Sequence, residues 1–237
     1  MNLSERAWRG LACLLTLSAL PTACGSSSEP GVRVELISEQ SLRSGQELST
    51  GSGVVRVEEV NWTSLEIELQ GCASARAALK NWFVPEAHAH GTSTSTLRAV
   101  PTIVSATAAG GVQLGELEPP TGHYCAVRYR VAPADADAVG LASAPGMLGR
   151  SFLLRGEFRP TSGELQALDF VSQQTFDVTL DIDLELSSDQ RGATLIFAHD
   201  AERWFQGMNL VSLGGDSPEE AILDAFRSSF SVRLETE

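Results

Sequence analysis

The stretch TFDVTLDIDLEL, residues 175–186, alternates polar and apolar side chains without a break. Phe176, Val178, Leu180, Ile182, Leu184 and Leu186 fall on one side. Asp177, Thr179, Asp181, Asp183 and Glu185 fall on the other. A helix would smear this pattern around its axis; an extended strand sorts it onto two faces, because successive Cβ atoms point in opposite directions. One face is then buried and the other wet, as in an antiparallel sheet.

The same period runs through VRVELI (32–37), VVRVEEVNWTSLEIELQ (54–70), HYCAVRYRVA (123–132) and SFLLRGEF (151–158). Clusters rich in Gly, Pro and Ser punctuate these runs. Helical pattern is scarce. ASARAALKNWF (73–83) fits one short turn or helix, and SPEEAILDAFRSSF (217–230) a better one. In the latter, Ser217 is placed to cap, Pro218 suits the first helical position, and Glu219 and Glu220 lie where the helix dipole favours anions. Ile222, Leu223 and Phe226 supply the apolar stripe, with Phe230 one turn on. Crossover helices for a parallel α/β fold are missing. The expected architecture is all-β: an antiparallel β-sandwich with Greek-key-like connections and a short C-terminal helix.

Residues 1–23 read as a signal peptide. Arg6 and Arg9 precede the apolar LACLLTLSAL, which is too short to span a bilayer. LPTAC follows and resembles the bacterial lipoprotein lipobox, with Cys24 as the acylated residue and Pro21 where Leu is usual. Cleavage near Ala23 by an ordinary signal peptidase is the alternative. Residues 24–31, with GSSSEPG, then form a flexible lipidated tether, and 32–237 a single domain. Gly25 after the lipidated Cys favours the outer over the inner membrane of a Gram-negative envelope. The expected membrane contact is through that lipid anchor alone.

Cys13 departs with the leader and Cys24 carries lipid, which leaves Cys72 and Cys125. In an exported protein two cysteines allow one intramolecular bridge. Free thiols suit an oxidising compartment poorly, and use of a Cys as a metal ligand would forfeit the bridge. The chain carries a net charge of −13, and loss of Arg6, Arg9 and Glu5 leaves the mature protein more negative by one unit. Lys80 is its only lysine. Such a surface repels phosphate backbones, so nucleic acid is not an expected partner. It attracts cations diffusely, and the scattered acids read as a solvated face.

Enzyme signatures are missing: there is no Gly-x-Ser-x-Gly elbow, phosphate loop, His-Glu-x-x-His or Cys-x-x-Cys. The chain reads as non-catalytic. Its four histidines are His88, His90, His123 and His199. His88 and His90, in PEAHAHGTSTS, have the i, i+2 spacing that puts two imidazoles on one side of an extended segment. The alternative is a polar loop with two exposed histidines. His123 shares a strand face with Cys125, so a Cys72–Cys125 bridge would draw it towards the segment holding His88 and His90. His199 reads as a strand end. Neutral imidazoles without thiolate suit copper, with zinc as the second choice, over calcium or magnesium. Asp200 or Glu86 is placed to add an oxygen or to orient a ring.

NWF…HAHG, LGELEPPTGHYCAVRY and ERWFQGMNL, on an exported lipoprotein, resemble the MbnP-like periplasmic copper-binding family, half of the "metallo-mystery pair". The resemblance implies a β-rich fold and a copper role for His88, His90 or His123. It implies a dihaem peroxidase-like redox partner that oxidises a tryptophan, with Trp82, Trp62 and Trp204 as candidates. Trp82 and Trp204 are otherwise read as ordinary core aromatics.

Two functional classes follow. In one, a cell-envelope lipoprotein binds copper through the His-x-His segment. In the other, the sandwich is a structural or protein-interaction lipoprotein with no metal site. The first requires convergent imidazoles; the second, an exposed apolar patch.

Overall fold

The computed structural model describes residues 31–72, 93–190, 192–206, 210 and 218–236. Leader, tether, Cys24, the helical pattern at 73–83, Trp82, Glu86, His88 and His90 lie outside these.

Among the described residues, twelve strands form two sheets. One contains β1 (Val34–Ser38), β6 (Val112–Leu117), β11 (Ala193–His199) and β12 (Phe230–Thr236), in the order β12-β11-β1-β6. The other has eight strands built on β3 (Gly53–Gly71). Asn61 pairs with both Leu153 and Ser105, and Ser64 with both Val131 and Thr102, so β3 has partners along both edges. Along one run β8 (Phe152–Pro160) and β7 (Gly122–Val131). Along the other run β2 (Gln46–Ser49), β5 (Thr102–Ser105) and β4 (Leu97–Arg98). β10 (Phe176–Leu186) extends the sheet beyond β7, and β9 (Gln166–Ser172) beyond β8. The chain crosses between sheets after β1, β5, β6 and β10.

Pairing is antiparallel except at β1–β11, where Val34 to Ser38 run parallel to Ala193 to Phe197. Strands so distant in sequence have no hairpin to impose a direction. The burial of β10 follows its sequence. Phe176, Val178, Leu184 and Leu186 are buried, Leu180 and Ile182 partly so, and every intervening residue is exposed. Full burial of an apolar side chain of this size stabilises by roughly 1.5–3 kcal/mol.

In β3 the alternation fails between Val60 and Ser64, all buried. The inner face packs on the other sheet, and the outer face is covered by the connection at 133–150. There Thr63 Oγ1 donates to Arg150 O at 3.2 Å, and Ile103, Met147 and Leu153 form a second small core. Gly156 of β8 stands opposite the β3 bulge at Val57/Glu59, where a Cβ would run into the Arg56 carbonyl.

Helix α1 (Pro218–Ser228) starts on proline and buries Ile222, Leu223 and Phe226. It stops before Phe230, which opens β12 instead of continuing the helical stripe. Ser228 Oγ and Ser229 Oγ donate to the carbonyls of Ala225 and Phe226 at 2.9 and 2.6 Å, and Ser229 N–H also donates to Phe226 O at 3.1 Å, so the final turn has side-chain partners beside a backbone one. Among the described residues no helix is long and apolar enough to cross a membrane.

Candidate metal centre

His123 and Cys125 occupy alternate positions near the start of β7, so both point outward while Tyr124 between them is buried. β3 ends beside them. Gly71 pairs with Tyr124, and Cys72 N–H donates to His123 O at 3.0 Å. A register shift between Gln70 and Gly71 leaves Cys125 without a direct partner on β3, beside the strand end where Cys72 follows. The two form a disulfide with a Cα–Cα distance of 4.8 Å across a separation of 53 residues. The bridge expected from the cysteine arithmetic is therefore present, on the outer face of the sheet.

On the other side of β7, His123 pairs with Glu185 of β10. The register of β10 shifts between Asp181 and Leu184, and such a bulge re-aims side chains locally. Here it accompanies the close approach of Asp183, whose Oδ1 stands 2.6 Å from His123 Nε2. Both groups are open to water: the His123 side chain is 53% exposed and that of Asp183 92%. A ring nitrogen of His123 and the two sulfurs lie within 4.8 Å of one another. Asp183 thus fixes the ring and leaves Nδ1 as the nitrogen available to an ion, an arrangement common around metal-bound histidines.

The other acids of this face are mostly engaged with arginine. Arg130 reaches Glu66 at 3.0 Å and Asp177 at 2.7 Å, and Arg128 reaches Glu68 at 2.9 Å. The hydrogen bond from Arg130 holds the Asp177 carboxyl below the usual carboxylate range. These pairs lie partly or wholly buried between the strands, whereas Asp183 is exposed and set apart by its histidine.

His199 goes elsewhere. It ends β11, as its pattern suggests, but inside the protein. Its ring stacks on Phe226 (centroids 5.0 Å apart, 4° between planes) and meets Phe230 at 3.8 Å, Trp62 at 4.4 Å and Trp204 at 6.4 Å. Neither ring nitrogen has a hydrogen-bond partner among the described residues. Burial pushes its pKa down to about 3, so the ring is neutral. Its distance from the disulfide face in the sequence of strands, and its aromatic walls, make it a core residue. Asp200, beside it, pairs with Arg203 at 2.9 Å.

Trp62 and Trp204 are core aromatics too. Trp62 Nε1 donates to Tyr129 OH at 3.1 Å, and Trp204 Nε1 to Ser229 Oγ at 2.8 Å. A cavity of about 610 Å³ lies beside Leu48, Asp200, Glu202, Arg203 and Gln206, and of the candidate ligands among the described residues only Asp200 lines it. The role of Asp183 was not readable beforehand. Its place in the alternating pattern of β10 marked it as solvent-facing, and only the register with β7 sets it against His123.

Fold and site together define a two-sheet, disulfide-bonded β protein with an exposed histidine held at the bridge. The chain matches no protein-family model and no curated protein. Among solved structures, MbnP from Methylosinus trichosporium aligns over 87% of this chain and 98% of its own, with 12% identity and a TM-score of 0.36. That is a weak structural resemblance.

Proposed function

We propose that the protein is a non-catalytic, lipid-anchored protein of the cell envelope that binds a transition metal, copper before zinc, through His123 with His88 and His90. The observation that carries this reading is the placement of His123. It is exposed, oriented by Asp183, and stands where β3 hands the chain on at Cys72. The chain is back beside the same end of β3 at Thr96, whose carbonyl accepts from Leu69 N–H at 2.9 Å. Cys72 lies three residues beyond Leu69, about 10 Å along the strand, and Thr96 one strand spacing of about 4.8 Å to the side, so departure and return stand about 11 Å apart. His90 lies four positions before Thr94, a reach of at most about 14 Å. The connection holding His88 and His90 is therefore tied at both ends to the neighbourhood of His123. Imidazole donors in a strongly anionic protein favour copper or zinc over the hard cations.

The role that fits is acquisition, storage or delivery of the metal, with a dihaem peroxidase-like protein as redox partner. The test is metal analysis of untagged mature protein, followed by copper titration of the wild type and of His88→Ala/His90→Ala and His123→Ala variants. One tight site is expected in the wild type and weakened uptake in both variants; equal, weak uptake by all three ends this reading.

A second reading, an interaction module, has its own support. Val139 and Leu148 are 53% and 57% exposed on the 133–150 connection, above the small core of Ile103, Met147 and Leu153. Loss of partner capture on Val139→Ser/Leu148→Ser, with metal binding absent, is its signature.

A further inference from the structure

We propose that the Cys72–Cys125 disulfide covers a second metal-binding state: on reduction, Cys72, Cys125 and His123 become a two-sulfur, one-nitrogen site for a thiophilic ion such as Zn(II) or Cu(I). This goes beyond the function proposed above, since it uses another donor set in another redox state and shares only His123 with it.

Three observations carry it. The first is spacing. The two sulfurs and a ring nitrogen of His123 lie within 4.8 Å of one another. Donors around a tetrahedral zinc ion stand about 3.5–3.8 Å apart, given Zn–S and Zn–N bonds of about 2.3 and 2.0 Å. Once the S–S bond breaks, the sulfurs must separate to non-bonded distance, which is close to the spacing an ion requires.

The second is rigidity. All three residues sit on adjacent, hydrogen-bonded backbone: Cys72 N–H donates to His123 O at 3.0 Å, and Gly71 and Glu185 fix the register on either side of β7. Asp183 holds the imidazole from Nε2 at 2.6 Å, as carboxylates do behind metal-bound histidines. A set placed by a sheet needs little rearrangement to close on an ion. Three protein ligands leave a fourth position for water or a small ligand.

The third is access. Cys125 and His123 are exposed and Cys72 is partly so, and both reductant and ion approach from solvent. A thiolate of an external dithiol attacks Cys125 Sγ; the S–S bond breaks, a mixed disulfide forms and Cys72 leaves as thiolate. The second thiol of the reductant then attacks its own sulfur in the mixed disulfide and expels Cys125 as thiolate. Two electrons pass to the protein, and the reductant departs as a cyclic disulfide. Any thiol protons go to solvent as the ion binds, and its oxidation state does not change.

The experiment uses the mature protein, reduced anaerobically with dithiothreitol and desalted, with Co(II) as the probe. Reduced wild type should show thiolate-to-cobalt charge-transfer absorption saturating at one ion per chain, and the oxidised protein none. Cys125→Ser should lose most of that absorption. His123→Ala should weaken cobalt binding at least about tenfold, the loss typical even for groups behind the ligands. His88→Ala/His90→Ala should leave the band in place, which separates this site from the copper site of the oxidised protein. A merely unfolded dithiol would bind cobalt whether or not His123 is present, so equal affinity in reduced wild type and His123→Ala overturns the proposal. So does a reduced wild type without the band.

Discussion

His123 and Asp183 meet across the β7–β10 pair, with Nε2 of the imidazole 2.6 Å from Oδ1 of the carboxylate. Asp183 lies within the register shift of β10 between Asp181 and Leu184, where the strict pairing with β7 lapses. Because both groups are exposed, the pair itself contributes little to stability, within about 1 kcal/mol. Its effect is on ring orientation. Asp183→Asn should leave the thermal midpoint nearly unchanged while weakening copper binding by about 10- to 100-fold. Calorimetry of both kinds, thermal and titration, separates these two outcomes.

The disulfide should matter far more to stability. A loop of 53 residues closed by one bridge stabilises by about 4 kcal/mol on the loop-entropy account. That is a large share of an ordinary folding margin. Differential scanning calorimetry with and without a dithiol should show a clear drop of the midpoint on reduction, partly reversed by added Zn(II).

His199 makes the protein acid-sensitive. Its folded pKa, pushed down to about 3 by burial, lies below the ordinary value of 6.5. The unfolded chain therefore binds the extra proton first. The contribution is complete above pH 6.5 and is lost as the pH falls towards 3, by about 1.4 kcal/mol per pH unit. His199→Leu, of similar volume, should cost under about 1.5 kcal/mol at pH 7. It should flatten the decline of the midpoint between pH 6.5 and 4.5, where the wild type loses about 2 kcal/mol from this group. Parallel slopes for the two proteins would show that the ring is not enclosed.

The buried Trp62–Tyr129 hydrogen bond gives a further check. Burial raises the Tyr129 hydroxyl to a pKa of about 12, so it stays neutral as acceptor for the indole N–H. Tyr129→Phe leaves that N–H buried without its acceptor and should destabilise by about 1–3 kcal/mol, measured by urea unfolding.

Much of this architecture was legible in the chain. Period-two runs located β1, β3, β7, β8 and β10 closely, and the SPEEAILDAF pattern located α1. Short or uniformly apolar strands were not, such as TIVS in β5 and ATLIFAH in β11. A strand covered on both faces has no alternation to read, and a strand of four residues has too little. The parallel β1–β11 pairing leaves no local trace, since nothing near either strand encodes a partner more than a hundred residues away.

The site was only partly legible, for a related reason. Cys72, Cys125 and His123 could be linked because two cysteines allow one bridge and an i, i+2 spacing shares a face. Asp183 could not, because its partnership exists only in the register between strands. His199 read as an element end, which it is. Its enclosure by Trp62, Phe226 and Phe230 comes from four separate elements converging, information that no local window contains.

Whether imidazoles gather on one ion is read most directly by pulsed electron paramagnetic resonance of the oxidised mature protein loaded with one equivalent of Cu(II). Nitrogen modulation from more than one imidazole is expected, with one contribution missing in His123→Ala and the remainder reduced in His88→Ala/His90→Ala. A spectrum without imidazole nitrogen, or one unchanged by both sets of substitutions, would contradict the proposed site.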